Sequence, residues 1–314
     1  MHKLIRSRLC AGGLLWLMMS TAFAAQVLVP DADEPDLVPT GKGWGERADH
    51  APPRVNENAN APGHAKPSGN NGISYHGGPV ILGTTNAYYI WYGNWLGNTA
   101  TTILSDLASS IGGSPYFNIN TTYYDGSNTH VNNLVHYAGS TTDAYSQTTA
   151  LSDSGVQAVV SSAISSGRLP KDTNGVYFVL TSADVNETSG FCTQYCGWHT
   201  HATISGSDIK YSFVGNPDRC PSACEAQTTS PNGNAGADGM ASIISHELEE
   251  AVTDPDLNAW YDRRGAENAD KCAWTFGTTS TANGAASNMT LGSRNYLIQQ
   301  NWVNASGGYC AKSF

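Results

Sequence analysis

S-H-E-L-E-E-A-V-T-D-P-D-L-N-A-W-Y-D-R-R-G-A-E-N-A-D-K-C, residues Ser245 to Cys272, puts one histidine and eight carboxylates into a single short span. Its first part reads as a helix. Met240, Ile244, Leu248 and Ala251 recur at spacings of three and four and share one face, and Pro255 stops the run. His246 and Glu250 fall one turn apart, away from that apolar stripe, so their side chains can converge on one point.

Two ligands four apart on a helix are held by one rigid backbone, and a glutamate directly after the first reaches a metal-bound water. The pattern H-E-x-x-H uses this geometry for zinc and a general base. Here Glu250 takes the place of the second histidine and Glu247 that of the base, giving H-E-x-x-E. A carboxylate is an acceptable zinc ligand, but the harder donor set discriminates less against other divalent metals. The competing reading is the solvated polar face of an amphipathic helix. Downstream, Glu267 and Asp270 follow a loop able to fold back and offer a third protein ligand, with Asp254 and Asp256 as competitors. Asp254, Asp256 and Asn258 imitate the start of a calcium loop, yet Ala259 and Gly265 stand where it needs a glycine and a bidentate glutamate.

The chain begins with His2, Lys3, Arg6 and Arg8, an apolar run from Leu9 to Met19, and the small-residue site Ala22-Phe23-Ala24. This pattern predicts a secretory signal over residues 1–24, and export to an extracellular or periplasmic location. The net charge of −10 becomes −13 without the three positive charges of that segment. An acidic chain with no basic patch argues against a nucleic-acid partner. No later run is apolar enough to cross a membrane. Residues 25–72 are rich in Pro, Asp, Asn and Gly without apolar periodicity. They read as a disordered leader, or as a pro-segment in which an acidic residue or His64 occupies the metal site.

Residues 73–314 are ample for one core. Strands are expected at Val80–Leu82, Ala87–Trp91, Gly175–Thr181 and Tyr296–Val303, with strand and turn over Ser114–Tyr124. Helices are expected at Ala100–Ile111 and Ser152–Ser166, and Asp238 is the expected cap of the central helix. The alternation predicts an α+β fold or mixed α/β layers. Cys192, Cys196, Cys220, Cys224, Cys272 and Cys310 are an even set for an oxidising compartment. The expected pairing is Cys192 with Cys196, Cys220 with Cys224, and Cys272 with Cys310, with a four-cysteine zinc as the alternative. His199 and His201 lie on one side of an extended segment. His199 is a candidate further ligand or proton donor, and His76 a weaker one.

Tyr75-His76-Gly77-Gly78-Pro79, Ile90-Trp91-Tyr92-Gly93-Asn94-Trp95, Gly190-Phe191-Cys192, Cys196-Gly197-Trp198-His199, Asp238-Gly239-Met240, His246-Glu247-Leu248, Asn258-Ala259-Trp260-Tyr261 and Glu267-Asn268-Ala269-Asp270-Lys271-Cys272 occur in this order. From about residue 73 to about 280 the chain resembles the phosphate-induced protein (EXORDIUM-like) family, best known from plant extracellular proteins linked to cell expansion and growth signalling. The resemblance implies a zincin-type site with metal on His246, Glu250 and Glu267 and with Glu247 as base.

The leading expectation is a secreted zinc-dependent metallohydrolase, a peptidase acting on a protein or peptide, with zinc or another divalent ion as cofactor. In it a zincin-like domain is built around a central metal-site helix and stabilised by disulfides. Glu247 moves the proton, and Asp270 or Asp254 orients ligands from behind. The alternative is a non-catalytic cell-wall or surface binding protein in which Trp91, Tyr92 and Trp95 stack on polysaccharide. A glycosidase using carboxylates from the Asp254 to Asp270 region leaves His246 without a role.

Overall fold

The computed structural model describes residues 38–42 and 72–314. The signal-like segment 1–24, most of the leader 25–72 and His64 lie outside the described residues.

Thr85–Tyr92 (β1) and Gly175–Thr181 (β3) are almost continuously apolar and buried on both faces, as strands inside a parallel sheet are. Val135–Asp143 (β2), Gly197–Ile204 (β4) and Ser207–Val214 (β5) complete a five-stranded sheet in the order β2-β1-β3-β5-β4. Its first four members run parallel, and only β4 is antiparallel, pairing His199 with Ser212 of β5. The parallel connections carry helices Ala100–Ile111 (α1) and Asp153–Ser165 (α2). The result is an α+β fold with mixed layers.

The central helix, Ala235–Thr253 (α3), packs on β4 and β5 on one side and on α1 on another. Asn234 caps it by accepting from the Ala237 N–H at 3.0 Å. Asp238, the expected cap, is already inside the first turn and accepts instead from Asn232. Every residue from Met240 to Thr253 is buried. The apolar stripe is as expected, but the polar face is buried too, so the solvated-face alternative is overturned.

Other local expectations change. Residues 80–82 are not a strand; Ile81 instead donates its N–H to the Val252 carbonyl at 2.9 Å and holds the end of α3. Phe117–Thr122 is a short 3₁₀ helix rather than strand and turn, its apolar residues sunk into the core. The closing segment is not one strand: Tyr296 ends the hairpin strand Arg294–Tyr296, paired with Met289–Leu291, and Asn301–Val303 pairs with Tyr309–Ala311.

Cys272 bonds Cys310 as expected. The other pairs are long-range, Cys192 with Cys220 and Cys196 with Cys224. The physical reason is local. Cys220 and Cys224 bracket the one-turn helix Pro221–Cys224, so both sulfurs leave on the same side and meet the turn before β4 as two rungs of a ladder. The local pairs and the four-cysteine zinc are both displaced.

The Cys272–Cys310 bond closes a segment spanning 38 residues of sequence separation. Replacing both by serine should lower the unfolding free energy by about 4 kcal/mol through the freed unfolded chain. Urea denaturation under oxidising conditions measures it, and an unchanged midpoint contradicts it.

Candidate metal centre

α3 delivers His246, Glu247 and Glu250, and β4 delivers His199 from the opposite side. His246 Nε2 lies 3.1 Å from Glu250 Oε1 and 3.5 Å from Asp270 Oδ1. His199 Nδ1 lies 3.4 Å from Glu247 Oε2 and 3.5 Å from Glu250 Oε2. Its Nε2 faces Glu267 Oε1 at 3.6 Å and the Asp254 main-chain oxygen at 3.4 Å. Two donor groups, His199–Glu247–Glu250 and His246–Glu250–Asp270, thus share Glu250.

The loop after α3 is fixed by its own hydrogen bonds. Asp254 Oδ1 accepts from the N–H groups of Asn258 and Ala259, both at 2.6 Å, and turns the chain after Pro255. Asp270 Oδ2 accepts from the Glu267 N–H at 3.2 Å, and the Asp270 N–H donates to Glu250 Oε1 at 3.1 Å. The 3₁₀ turn Asp270–Cys272 and the disulfide at its end hold that carboxylate against the helix.

His246 and Glu250, both expected ligands, are adjacent. The third member of their group is Asp270, expected as an alternative or supporting ligand, whereas Glu267 stands at His199. Glu247, the expected base, faces His199 as well. His76 is elsewhere, stacked on Tyr261 with ring centroids 3.7 Å apart. His201 joins Asp208 and Asp256 in a separate group into which Lys210 projects, its Nζ 3.0 Å from Asp256 Oδ1. Several buried carboxylates escaped the sequence reading, among them Glu249, which accepts from Asn301 Nδ2 at 2.5 Å. Nothing local in the sequence pairs two residues 52 positions apart.

The side chains of His199, His246, Glu247, Glu250, Glu267 and Asp270 are at most 2 % exposed. For His199, Glu247, Glu250, Glu267 and Asp270 desolvation is the largest single influence on titration, though neighbouring charges together can outweigh it. Desolvation raises Glu247 to about 7, and Asp254 and Asp270 to about 6. Glu267 is also pushed well above the ordinary range by burial, against the pull of His199. For Glu250 burial acts upward too, but the adjacent His246 and His199 outweigh it and bring the group down to about 2. His199 is raised, because the facing Glu267, Glu247 and Glu250 outweigh its desolvation.

These residues fit a divalent cation. His199 Nδ1, both Glu247 oxygens, Glu250 Oε2, Asp254 Oδ2, Glu267 Oε1 and Asp270 Oδ1 are buried without a hydrogen-bond partner. Buried polar atoms are seldom left so. The 3.1–3.5 Å separations match the roughly 3.3 Å between donors sharing one ion at ~2.0 Å.

The phosphate-induced protein 1 conserved region matches residues 73–298, which include every residue of the cluster. Protein EXORDIUM-like 3 of Arabidopsis thaliana is 31% identical over 279 residues, covering 76% of this chain and 82% of that protein. Protein EXORDIUM-like 5 of the same plant is 32% identical over 273 residues, covering 73% and 75%. Protein PHOSPHATE-INDUCED 1 of Nicotiana tabacum is 26% identical over 217 residues, covering 60% and 67%. No solved structure matches the chain significantly.

The raised groups fix a pH dependence. Glu247, Asp254 and Asp270 hold protons in the folded state where the unfolded chain, at 4.5 and 3.8, has released them. Their contribution to stability is complete below about pH 4 and lost as pH rises through about 6 to 7. Glu250 acts oppositely, but its contribution is lost only as pH falls from 4.5 through about 2. Chelator-treated protein should therefore unfold more easily at about pH 8 than at about pH 5. Added divalent metal should remove the difference by replacing the protons. Denaturant titrations at the two pH values test this, and a metal-free stability that rises with pH contradicts it.

Proposed function

The chain belongs to the phosphate-induced protein 1 family, and we propose that it is an extracellular binding or signalling protein whose zincin-like domain holds one divalent metal in a closed, non-catalytic centre. His246, Glu250 and Asp270 would hold the ion, with His199, Glu247 and Glu267 around it. Zinc accepts this donor set, and a harder divalent ion accepts it as well. The observation that carries the reading is burial: no side chain of the cluster exceeds 2 % exposure. Structural sites are closed, whereas catalytic ones keep a position open to substrate. A bound cation offsets the cost of burying several carboxylates together.

The zincin-like description rests on a helix bearing H-E-x-x-E beneath a mixed sheet whose antiparallel edge strand brings His199 to it. Three disulfides suit an oxidising compartment, and no described helix is long and apolar enough to cross a membrane. A surface receptor or cell-wall component is the partner class that fits an exported, acidic chain; Trp91, Tyr92 and Trp95, expected to stack on polysaccharide, are instead buried in the core and not free to do so.

One observation favours a second reading, a peptidase. Both Glu247 oxygens lack hydrogen-bond partners, and burial raises the group to about 7, a value suited to a general base. When bound, the metal would supply Lewis-acid polarisation. Glu247 would take a proton from water and return it to the leaving amine, and His199 would donate a hydrogen bond to the developing oxyanion. This reading requires the centre to open.

Elemental mass spectrometry on the secreted protein should find about one divalent ion per chain. The ion should be lost in His246→Ala and Glu250→Ala and kept in Glu247→Gln. In a peptide-library assay neither wild type nor Glu247→Gln should cleave. Cleavage by wild type alone establishes the second reading, and folded wild type free of metal overturns the centre itself.

A further inference from the structure

β4 is an outer strand of the sheet, and a short piece of the leader crosses it, joined by one main-chain hydrogen bond. The His199 N–H donates to the Gly41 carbonyl at 3.1 Å. Gly41 has φ +67°, and a Cβ there would stand 1.9 Å from the His199 carbonyl oxygen, so the crossing admits only glycine. Pro39 is buried on one side of the crossing. On the other, Lys42 enters a socket: its Nζ lies 2.7 Å from Asp153 Oδ2, 2.8 Å from Ser189 Oγ and 3.4 Å from Tyr195 OH. The same ammonium sits 5.0 Å from the ring centroid of Tyr195 and 5.3 Å from that of Trp198.

The socket is assembled before the lysine is considered. Glu187, 1 % exposed, accepts from Tyr195 OH at 2.7 Å and from Ser189 Oγ at 2.6 Å, fixing both hydroxyls. Asp153 sits at the start of α2, three residues before Val156 of the core. A carboxylate, two oriented hydroxyls and two aromatic faces are the chemistry that recognises an ammonium. Sheet edges take up extended peptides through main-chain hydrogen bonds, with side-chain pockets supplying the specificity.

We propose that the β4 edge at His199, with the Asp153–Ser189–Tyr195–Trp198 socket, is a recognition site for a peptide that turns at a glycine followed by a lysine, and that Pro39–Lys42 occupies it in cis. A peptide of this chemistry in trans competes with the leader for the same edge. The site stands independently of any metal, since none of its contacts is a donor atom of the cluster.

The test uses the full chain with Gly41→Val and Lys42→Ala together, which disengages the leader. The peptide probe has the sequence of residues Asp36 to Trp44. By calorimetry the peptide should bind the double variant about tenfold or more tightly than wild type, whose edge is filled. A peptide with alanine in place of the lysine should bind about tenfold more weakly. By hydrogen exchange, the His199 amide should be protected in wild type, exchange faster in the double variant, and regain protection with peptide. Asp153→Asn, made in the double variant, leaves the edge intact and should erase the preference for lysine over alanine. Equal His199 exchange in both chains, or no peptide binding by a double variant whose circular dichroism matches wild type, overturns the proposal. Peptide binding indifferent to the lysine and to Asp153→Asn overturns the socket.

Discussion

Five carboxylates and two imidazoles sit together in the interior with almost no access to water, and the surrounding architecture is arranged to make that tolerable. Taking a single carboxylate out of water costs several kcal/mol unless it is paired, hydrogen-bonded, protonated or bound to a cation. Hydrogen bonds satisfy only part of the set. Asp254 receives two backbone N–H groups, Asp270 one, and Glu250 one. His199 Nδ1, both Glu247 oxygens and one oxygen each of Glu250, Asp254, Glu267 and Asp270 are left without a hydrogen-bond partner. Protonation removes the cost at low pH, and a bound divalent ion would remove it at neutral pH.

The supports of the cluster are the parts of the chain that otherwise look decorative. Cys272 closes the turn that presses Asp270 onto Glu250, and its partner Cys310 belongs to the last strand pair. The ladder of Cys192–Cys220 and Cys196–Cys224 anchors the start of β4, the strand that carries His199. His199 is therefore where two systems meet. Its ring faces the buried carboxylates, and its backbone N–H holds the leader at Gly41.

The helix was legible in the sequence because the stripe Met240, Ile244, Leu248 and Ala251 has a period that no strand shares. The convergence of His246 and Glu250 followed from the same period. Its burial did not follow, since burial of the polar face depends on α1, β4 and the loop through Asp270, and no local pattern reports those contacts. The position of Asp270 beside His246, with Glu267 at His199, is set by a 3₁₀ turn three residues long, below what periodicity can register. Central strands β1 and β3 announced themselves as continuous apolar runs. Val80–Leu82 looked the same but is used to tie off α3, a tertiary contact overriding a local preference. Disulfide partners across 28 residues likewise depend on which loops meet. The role of Lys42 was hidden in a segment whose composition reads as featureless.

X-ray absorption at the metal edge of zinc-loaded protein, compared with His246→Ala, tests the central claim most directly. A buried His246–Glu250–Asp270 centre predicts nitrogen and oxygen donors at about 2.0–2.2 Å, an imidazole scattering pattern that falls in the variant, and no sulfur. A sulfur shell, or a spectrum of fully hydrated ion unchanged by His246→Ala, would contradict it.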